Sequence, residues 1–338
     1  MSSGTALWLD GARAPLLEAR ALSKGFDLPR SPLAGRRGRV RALEGLWLAV
    51  EPGETLALVG ESGSGKSTAV RALLRLLEPD AGQVWWRRRD GSRVDLLALD
   101  GGALRALRPE LGIVFQDPLS SLNPRLRVER ALSEPLSVHR RARDAALGPR
   151  VRALLEQVGL SGEVEERFPH ELSGGQRQRV AIARALALEP RLLVCDEVAS
   201  ALDVSLTAQV LDLLDRLQRE LALSLLFVSH DLGVVRHVAD RVLFLYLGRP
   251  VEVGPAEALL AAPAHPYARL LVESAPALEA GPARPAPPRG EPPSALSPPP
   301  GCAFHPRCPR AEARCAREEP QPLRLGAGHV AACHALER

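Results

Sequence analysis

Two rhythms of apolar residues run along this chain. Over residues 39–60, strand-like runs at Leu46 to Val50 and Thr55 to Val59 flank Glu51-Pro52-Gly53-Glu54, where the Pro-Gly pair suits a tight turn. The period then changes. From Ser67 to Leu77, Val70, Leu73, Leu74 and Leu77 recur at spacings of three and four, which predicts a helix stopped by Pro79. Further strand-like runs at Leu111 to Phe115, Leu192 to Cys195, Leu223 to Val228 and Val242 to Leu247 mostly alternate with helical stretches. That alternation predicts an α/β core, a largely parallel sheet flanked by helices.

Between Asp117 and about Leu188 the strand signals vanish, and helical patterns such as Val151 to Val158 and Gln176 to Leu186 take over. An α-helical subdomain is therefore expected as an insertion over residues 117–188. Residues 276–300 are crowded with proline, alanine and glycine, which disfavours a packed core and predicts a linker ending the main domain. Pro29 to Arg39 reads as a surface loop, and no internal repeat is visible.

Composition narrows the class without naming it. Hydrophobic residues at 46% and charged residues at 25% fit a soluble globular protein, with aromatics scarce at 4%. Only Lys24 and Lys66 are lysines among 44 basic residues, a bias that reads as genomic. The net charge of +4 is spread among 40 acids, which argues against a nucleic-acid-binding face. No apolar run reaches the roughly 18 residues of a membrane span, and no basic start followed by an apolar stretch marks a signal peptide. Five cysteines make no disulfide scaffold, so a reducing compartment is expected.

The chemistry lies at the junctions of these elements. Gly60-Glu61-Ser62-Gly63-Ser64-Gly65-Lys66-Ser67 fits G-x-x-x-x-G-K-[ST], with a strand before and a helix after. Glycines let backbone N–H groups wrap phosphates, and the helix N-terminus adds its positive dipole end. Lys66 is placed to neutralise β and γ oxygens, Ser67 to bind Mg²⁺, and Thr68 to donate to a phosphate. The apolar run Arg191 to Cys195 ends in Asp196 and Glu197, at the strand tip where ligand crevices of open α/β sheets lie. Asp196 would hold Mg²⁺ through its water shell, and Glu197 would polarise the water attacking the γ-phosphate. Ser173 and Gly174 precede a helical run and offer a hydroxyl and free amides to a phosphate.

Leu172-Ser173-Gly174-Gly175-Gln176 resembles the ABC signature. Together with the glycine loop, Gln116, Asp196-Glu197, Ser200-Ala201-Leu202-Asp203 and His230, it follows the order and spacing of the ABC ATPases over about half the chain. The resemblance implies a P-loop NTPase (RecA-like) fold, a mixed, mostly parallel sheet with the helical insert. It also implies that two cassettes meet head to tail, so that Ser173, Gly174, Gly175 and Gln176 of one, with Asp203, cap the ATP on the other's glycine loop. By the same resemblance Gln116 senses Mg²⁺ and the attacking water, His230 contacts the γ-phosphate, and Phe26 stacks on adenine. Trp47 is the alternative aromatic, although it alternates like a core strand residue.

His265-Pro266-Tyr267, Phe115-Gln116-Asp117-Pro118-Leu119-Ser120-Ser121-Leu122-Asn123-Pro124 and Asp196 to Ser205 resemble the oligopeptide, dipeptide and nickel importers within that family, with Val198-Ala199 a small departure. The resemblance implies an ABC ATPase domain over residues 1–262, a His-Pro-Tyr extension over 263–275, and a Cys-containing tail over 301–338. Cys302, Cys308, Cys315 and Cys333 resemble a tail that ligates an iron–sulfur cluster in some relatives. Four thiolates suit a [4Fe-4S] cluster or an all-cysteine zinc site, and free thiols stay open as well. The implied partners are a second, nonidentical ABC ATPase, two transmembrane permeases and an extracytoplasmic substrate-binding protein, with this chain peripheral on the cytoplasmic face of the membrane. Peptide is the expected solute, with nickel or another small solute as alternatives. A soluble ABC ATPase handling nucleic acid or ribosomes is the rival class. Such proteins carry two cassettes or a long coiled coil, and this chain has one cassette and no sustained heptads.

Overall fold

The computed structural model describes residues 5–9, 14–28, 38–117, 121–139, 144–200, 202–275 and 291–337. Pro118, Leu119, Ser120 and Ala201 of the motifs above, most of the 29–39 loop and residues 276–290 of the predicted linker lie outside them. The chain forms two compact units, residues 1–98 with 229–338, and residues 99–228.

The first unit opens with strands β1 (Leu17–Asp27), β2 (Arg39–Val50) and β3 (Thr55–Val59), helix α1 (Lys66–Leu73), then β4 (Ala81–Arg87) and β5 (Arg93–Asp95). Strands β2-β1-β4-β5 make an antiparallel sheet that the periodicity does not predict. Register shifts between Ala19 and Leu22 and again around Lys24 break the alternation by which a strand is recognised. Strand β3 is buried along its whole length, as a central strand covered on both faces should be. Helix α1 ends four residues before the predicted Leu77. Arg75 turns to φ +48°, and the Leu76 and Arg75 N–H groups donate back to the Arg71 and Ala72 carbonyls. This is a Schellman cap with arginine in the glycine position.

The second unit comprises α2 (Gly101–Leu107), β6 (Leu111–Val114), α3 (Val128–Val138), α4 (Asp144–Gln157), α5 (Gly174–Leu186), β7 (Leu192–Asp196), α6 (Val204–Leu221) and β8 (Ser224–Ser229). Strands β6, β7 and β8 run parallel, and every residue of β7 and β8 is buried. Helices α3, α4 and α5 fill the interval between β6 and β7. Helix α4 starts at Asp144, ahead of the expected Val151, and contains Pro149, a residue that ordinarily breaks a helix interior.

The chain re-enters the first unit with α7 (Leu232–Val238), β9 (Arg241–Tyr246), β10 (Arg249–Pro255), α8 (Ala256–Ala261) and α9 (Pro266–Ser274), and the tail adds β11 (Leu323–Gly326) and β12 (His329–Ala331). Strand β9 lies parallel to β3, β10 antiparallel to β9, and β12 pairs with β10 through Glu252 and Val253. The tail thus extends the sheet of β3, β9 and β10. Glu252 is fully buried and accepts hydrogen bonds from the Ala264 and His265 N–H groups, with His329 Nε2 also at 2.8 Å. Phe304 drives the same union: it is 1% exposed and packs on Tyr246, Tyr267 and His265 within a core that includes Val242, Phe244 and Leu259. Burying such a ring contributes about 1.5–3 kcal/mol.

Candidate functional site

The phosphate loop leaves the end of β3 and enters α1 at Gly65, whose φ of +103° only glycine adopts without strain. A Cβ there would sit 2.4 Å from the Ala42 carbonyl oxygen. Lys66 is 5% exposed, and its ammonium donates to the Gly60 carbonyl at 2.7 Å and the Glu61 carbonyl at 2.9 Å. The two carbonyls fix the ammonium against the backbone of the loop. Ser67 and Thr68 lie in the first turn of α1.

Glu61 is gripped from two further directions. Its N–H donates to the Tyr267 hydroxyl at 2.8 Å, and its carboxylate takes a bidentate pair from the Arg307 guanidinium at 2.7 and 2.9 Å. Arg307 is 4% exposed, and the Glu61 carboxylate beside it raises its already high pKa, so its positive charge is permanent. Residue type and spacing give no hint of this pair, because the two lie 246 positions apart. The only sequence signals are that Tyr267 belongs to the His-Pro-Tyr segment and that Arg307 adjoins Cys308.

Phe26 lies at the end of β1 and is 40% exposed, with the Lys24 ammonium 5.7 Å from its ring centroid. Trp47 is 7% exposed and belongs to the core, so Phe26 is the aromatic of the two that offers a face to a ligand. His230 is exposed immediately after β8, ahead of Asp231, which caps α7 by accepting from the Gly233 and Val234 N–H groups.

In the second unit, Asp196 ends β7 and is 4% exposed, while Cys195 before it is inert packing whose thiol burial and the neighbouring carboxylate push up to about 12. Glu197 turns the chain at φ +50°, a conformation that strains any residue with a Cβ. Its N–H donates to the Val228 carbonyl, the Ser200 hydroxyl donates to its carbonyl, and the Gln116 amide donates to its carboxylate at 2.8 Å. Gln116 and Glu197, separate in sequence, are therefore one hydrogen-bonded pair.

Ser173 is the N-cap of α5. Its hydroxyl accepts from the Gln176 N–H at 3.2 Å, and the Gln176 side chain accepts from the Ser173 N–H at 3.0 Å. Gly175 packs where a Cβ would meet Leu206 of α6 at 2.9 Å, and Asp203 caps that helix through the Leu206 N–H. The signature and the Asp203 loop are thus joined through Leu206.

The four tail cysteines share one neighbourhood. Burial raises the thiols of Cys302, Cys308 and Cys333, that of Cys302 to about 11, and the other cysteines of the set raise them further. The donor chemistry suits a cluster, but among the described residues no group of three or more His, Cys, Asp or Glu side chains is arranged to hold a metal. The placement thus does not assemble the metal site expected at Cys302, Cys308, Cys315 and Cys333.

Residues 43–200 match the family described as "ABC transporter", and residues 251–315 match "Oligopeptide/dipeptide transporter, C-terminal region". The chain is 46% identical over 324 residues to "Probable peptide ABC transporter ATP-binding protein y4tS" of Sinorhizobium fredii, covering 94% of this chain and 89% of the relative. It is likewise 46% identical to "Di/tripeptide transport ATP-binding protein DppF" of Pseudomonas aeruginosa, covering 96% and 98%, and 45% identical to "Oligopeptide transport ATP-binding protein OppF" of Escherichia coli, covering 83% and 84%. Among solved structures, the dimeric post-hydrolysis state of the ATP-binding cassette MJ0796 bound to ADP and Pi aligns with a TM-score of 0.61 at 28% identity, over 71% of this chain and 98% of that one.

Proposed function

The chain belongs to the ATP-binding subunits of the oligopeptide/dipeptide ABC transporters, and from that premise we propose how its residues divide the work. It is an ATP-hydrolysing cassette of a peptide importer, coupling hydrolysis to transport through membrane permease components. Within it, Phe26 stacks on the adenine, the loop Gly60, Glu61, Ser62, Gly63, Ser64, Gly65 wraps the phosphates, and Lys66 and Thr68 hold their oxygens. Ser67, Asp196 and Gln116 would hold Mg²⁺ through the hard oxygen donors that it prefers. Bound there, Mg²⁺ would supply charge neutralisation to the phosphates.

Glu197 orients and deprotonates the attacking water, Gln116 holds the Glu197 carboxylate in register, and His230 contacts the γ-phosphate. The observation that carries turnover is the Gln116–Glu197 hydrogen bond on a backbone turned to φ +50°. Strain of that kind persists where the surroundings enforce it, and it clusters at catalytic positions. Ser173, Gly174, Gly175, Gln176 and Asp203 cap the ATP of a second cassette, and closure of the two drives the permeases.

The second cassette in this reading is nonidentical, the permeases are two, and an extracytoplasmic binding protein delivers the peptide, with the chain peripheral on the cytoplasmic face of the membrane. No described helix is long and apolar enough to cross a membrane. We further propose, from the four-thiolate donor set and not from its placement, that Cys302, Cys308, Cys315 and Cys333 take a [4Fe-4S] cluster. Four irons and four sulfides per chain in protein purified without oxygen would sustain it, and zinc or bare thiols would overturn it.

The motor reading is tested by purifying tagged chain from its native membrane in detergent, identifying partners by mass spectrometry and measuring peptide-stimulated ATPase. Permeases and a second cassette should co-purify, and Glu197→Gln should lower kcat by about 10²-fold to 10⁴-fold. Recovery of ribosomal or repair proteins instead, or full turnover by Glu197→Gln, would sink it.

A further inference from the structure

The tail does more than cover the sheet edge. Phe304 plugs into the aromatic cluster beneath the phosphate loop, and the short turn His305–Arg307 carries Arg307 from it to Glu61. The Arg307 guanidinium lies 5.8 Å from the Phe304 ring centroid and is walled from solvent. A buried bidentate pair fixes direction as well as distance, so the Glu61 carboxylate has one position while the tail is docked.

Glu61 has little freedom left. Tyr267 holds its N–H, and its carbonyl accepts from both the Lys66 ammonium and the Ser64 N–H. The residue that Arg307 grips is therefore also the residue that positions the phosphate-binding ammonium. Two covalent bonds separate the Glu61 Cα from the carbonyl oxygen that Lys66 contacts.

We propose that Arg307 is a positioning residue for the nucleotide: through Glu61 it sets the shape of the phosphate loop, so that docking of the tail and affinity for ATP are thermodynamically coupled. The inference rests on the loop being the ATP site. By reciprocity, whatever loosens the tail weakens nucleotide binding, and nucleotide binding tightens the tail.

The test uses the full chain in a Glu197→Gln background, so that Mg-ATP binding is read without turnover. Calorimetry gives Kd for the parent and for Arg307→Lys, Arg307→Gln, Tyr267→Phe and Glu61→Gln, and thermal unfolding is followed alongside. Arg307→Gln should weaken binding by about 5-fold to 150-fold, the usual span of coupling between sites. Arg307→Lys keeps the charge but loses the fork, and should recover part of the affinity. Adding Arg307→Gln to Glu61→Gln should produce little further loss, since both remove one interaction.

With Mg-ATP, amide exchange over residues 302–308 should slow in the parent and not in Arg307→Gln. If the Arg307 variants lose thermal stability yet bind Mg-ATP as the parent does, the residue merely supports the fold and the inference fails. Should Arg307→Gln not fold, Arg307→Lys and Tyr267→Phe decide, parental affinity in both overturning it. A parent that binds no Mg-ATP would instead overturn the ATP-site reading itself.

Discussion

The phosphate loop and the signature end of α5 are both proposed to touch ATP, yet they are built in opposite ways. Around the loop, Ser64 and Lys66 are nearly inaccessible, and Glu61 is tied by side chain, N–H and carbonyl to residues as distant in sequence as Tyr267 and Arg307. Ser173, Gly174 and Asp203 are exposed, and the Ser173 and Asp203 side chains cap their own helices through N–H groups three residues on. The first region is assembled before nucleotide arrives, at the expense of tolerance to mutation. The second leaves its polar groups facing outward, the arrangement expected of a surface that acts on a ligand held by another chain. Substitutions in the loop should therefore damage folding and function together, and those at the signature should separate the two.

The largest effect should come from Gly65→Ala. The new Cβ meets the Ala42 carbonyl at 2.4 Å, and φ +103° is hostile to any L side chain, so urea unfolding should show a loss of about 3 kcal/mol or more. Gly63 is the control. Its φ is +78°, but nothing lies within 4 Å of a Cβ there, so Gly63→Ala should lose only about 1 kcal/mol. Equal losses at the two positions would mean that packing around the loop is slack, contrary to the comparison.

How much of this was legible depended on whether a feature is local. Glycine spacing, the strand before it and the helix after it lie within a few residues of one another, so the phosphate loop and the Asp196-Glu197 tip could be read directly, and β3, β6, β7 and β8 matched apolar runs nearly end for end. The antiparallel sheet was hidden because bulges in β1 scramble its period. The Gln116–Glu197 bond, the strained φ of Glu197 and the Arg307–Glu61 pair depend on tertiary placement, which no periodicity encodes. The tail was legible only as a Cys-containing stretch beyond a proline-rich linker, and nothing in its periodicity marks that Val330 and Ala331 register against β10 or that Phe304 supplies core.

His265 offers a pH test of the loop's support. It is fully buried at the start of α9, its Nδ1 accepts from the Tyr267 N–H at 3.0 Å, and desolvation lowers its pKa from 6.5 to about 3. Below about pH 6.5 the unfolded chain binds a proton that the folded chain refuses. Stability is thus intact above the unfolded pKa and falls as pH drops toward the folded value. Between pH 7 and pH 5 this histidine should remove about 2 kcal/mol, at ~1.4 kcal/mol per pH unit below 6.5. His265→Asn keeps an acceptor near Nδ1 without the titration. Its unfolding free energy should depend on pH less steeply by that amount, and an unchanged slope would show that the site admits water.

The smallest effect is the most discriminating, because Ser173 has two tasks that one pair of substitutions can pull apart. As N-cap it accepts from the Gln176 N–H, and Ser173→Ala should lose about 1 kcal/mol of stability for that reason alone. Ser173→Asp keeps a capping oxygen and adds a negative charge where the helix dipole favours one, so unfolding should match the wild type. The same charge would face the γ-phosphate that Ser173 is proposed to meet. In the assembled complex, Ser173→Asp should therefore abolish peptide-stimulated ATPase at unchanged stability, while Ser173→Ala keeps part of it. Activity that followed stability across the two variants would reduce Ser173 to a cap, and the outward-facing surface would lose its claim to the nucleotide of a second cassette.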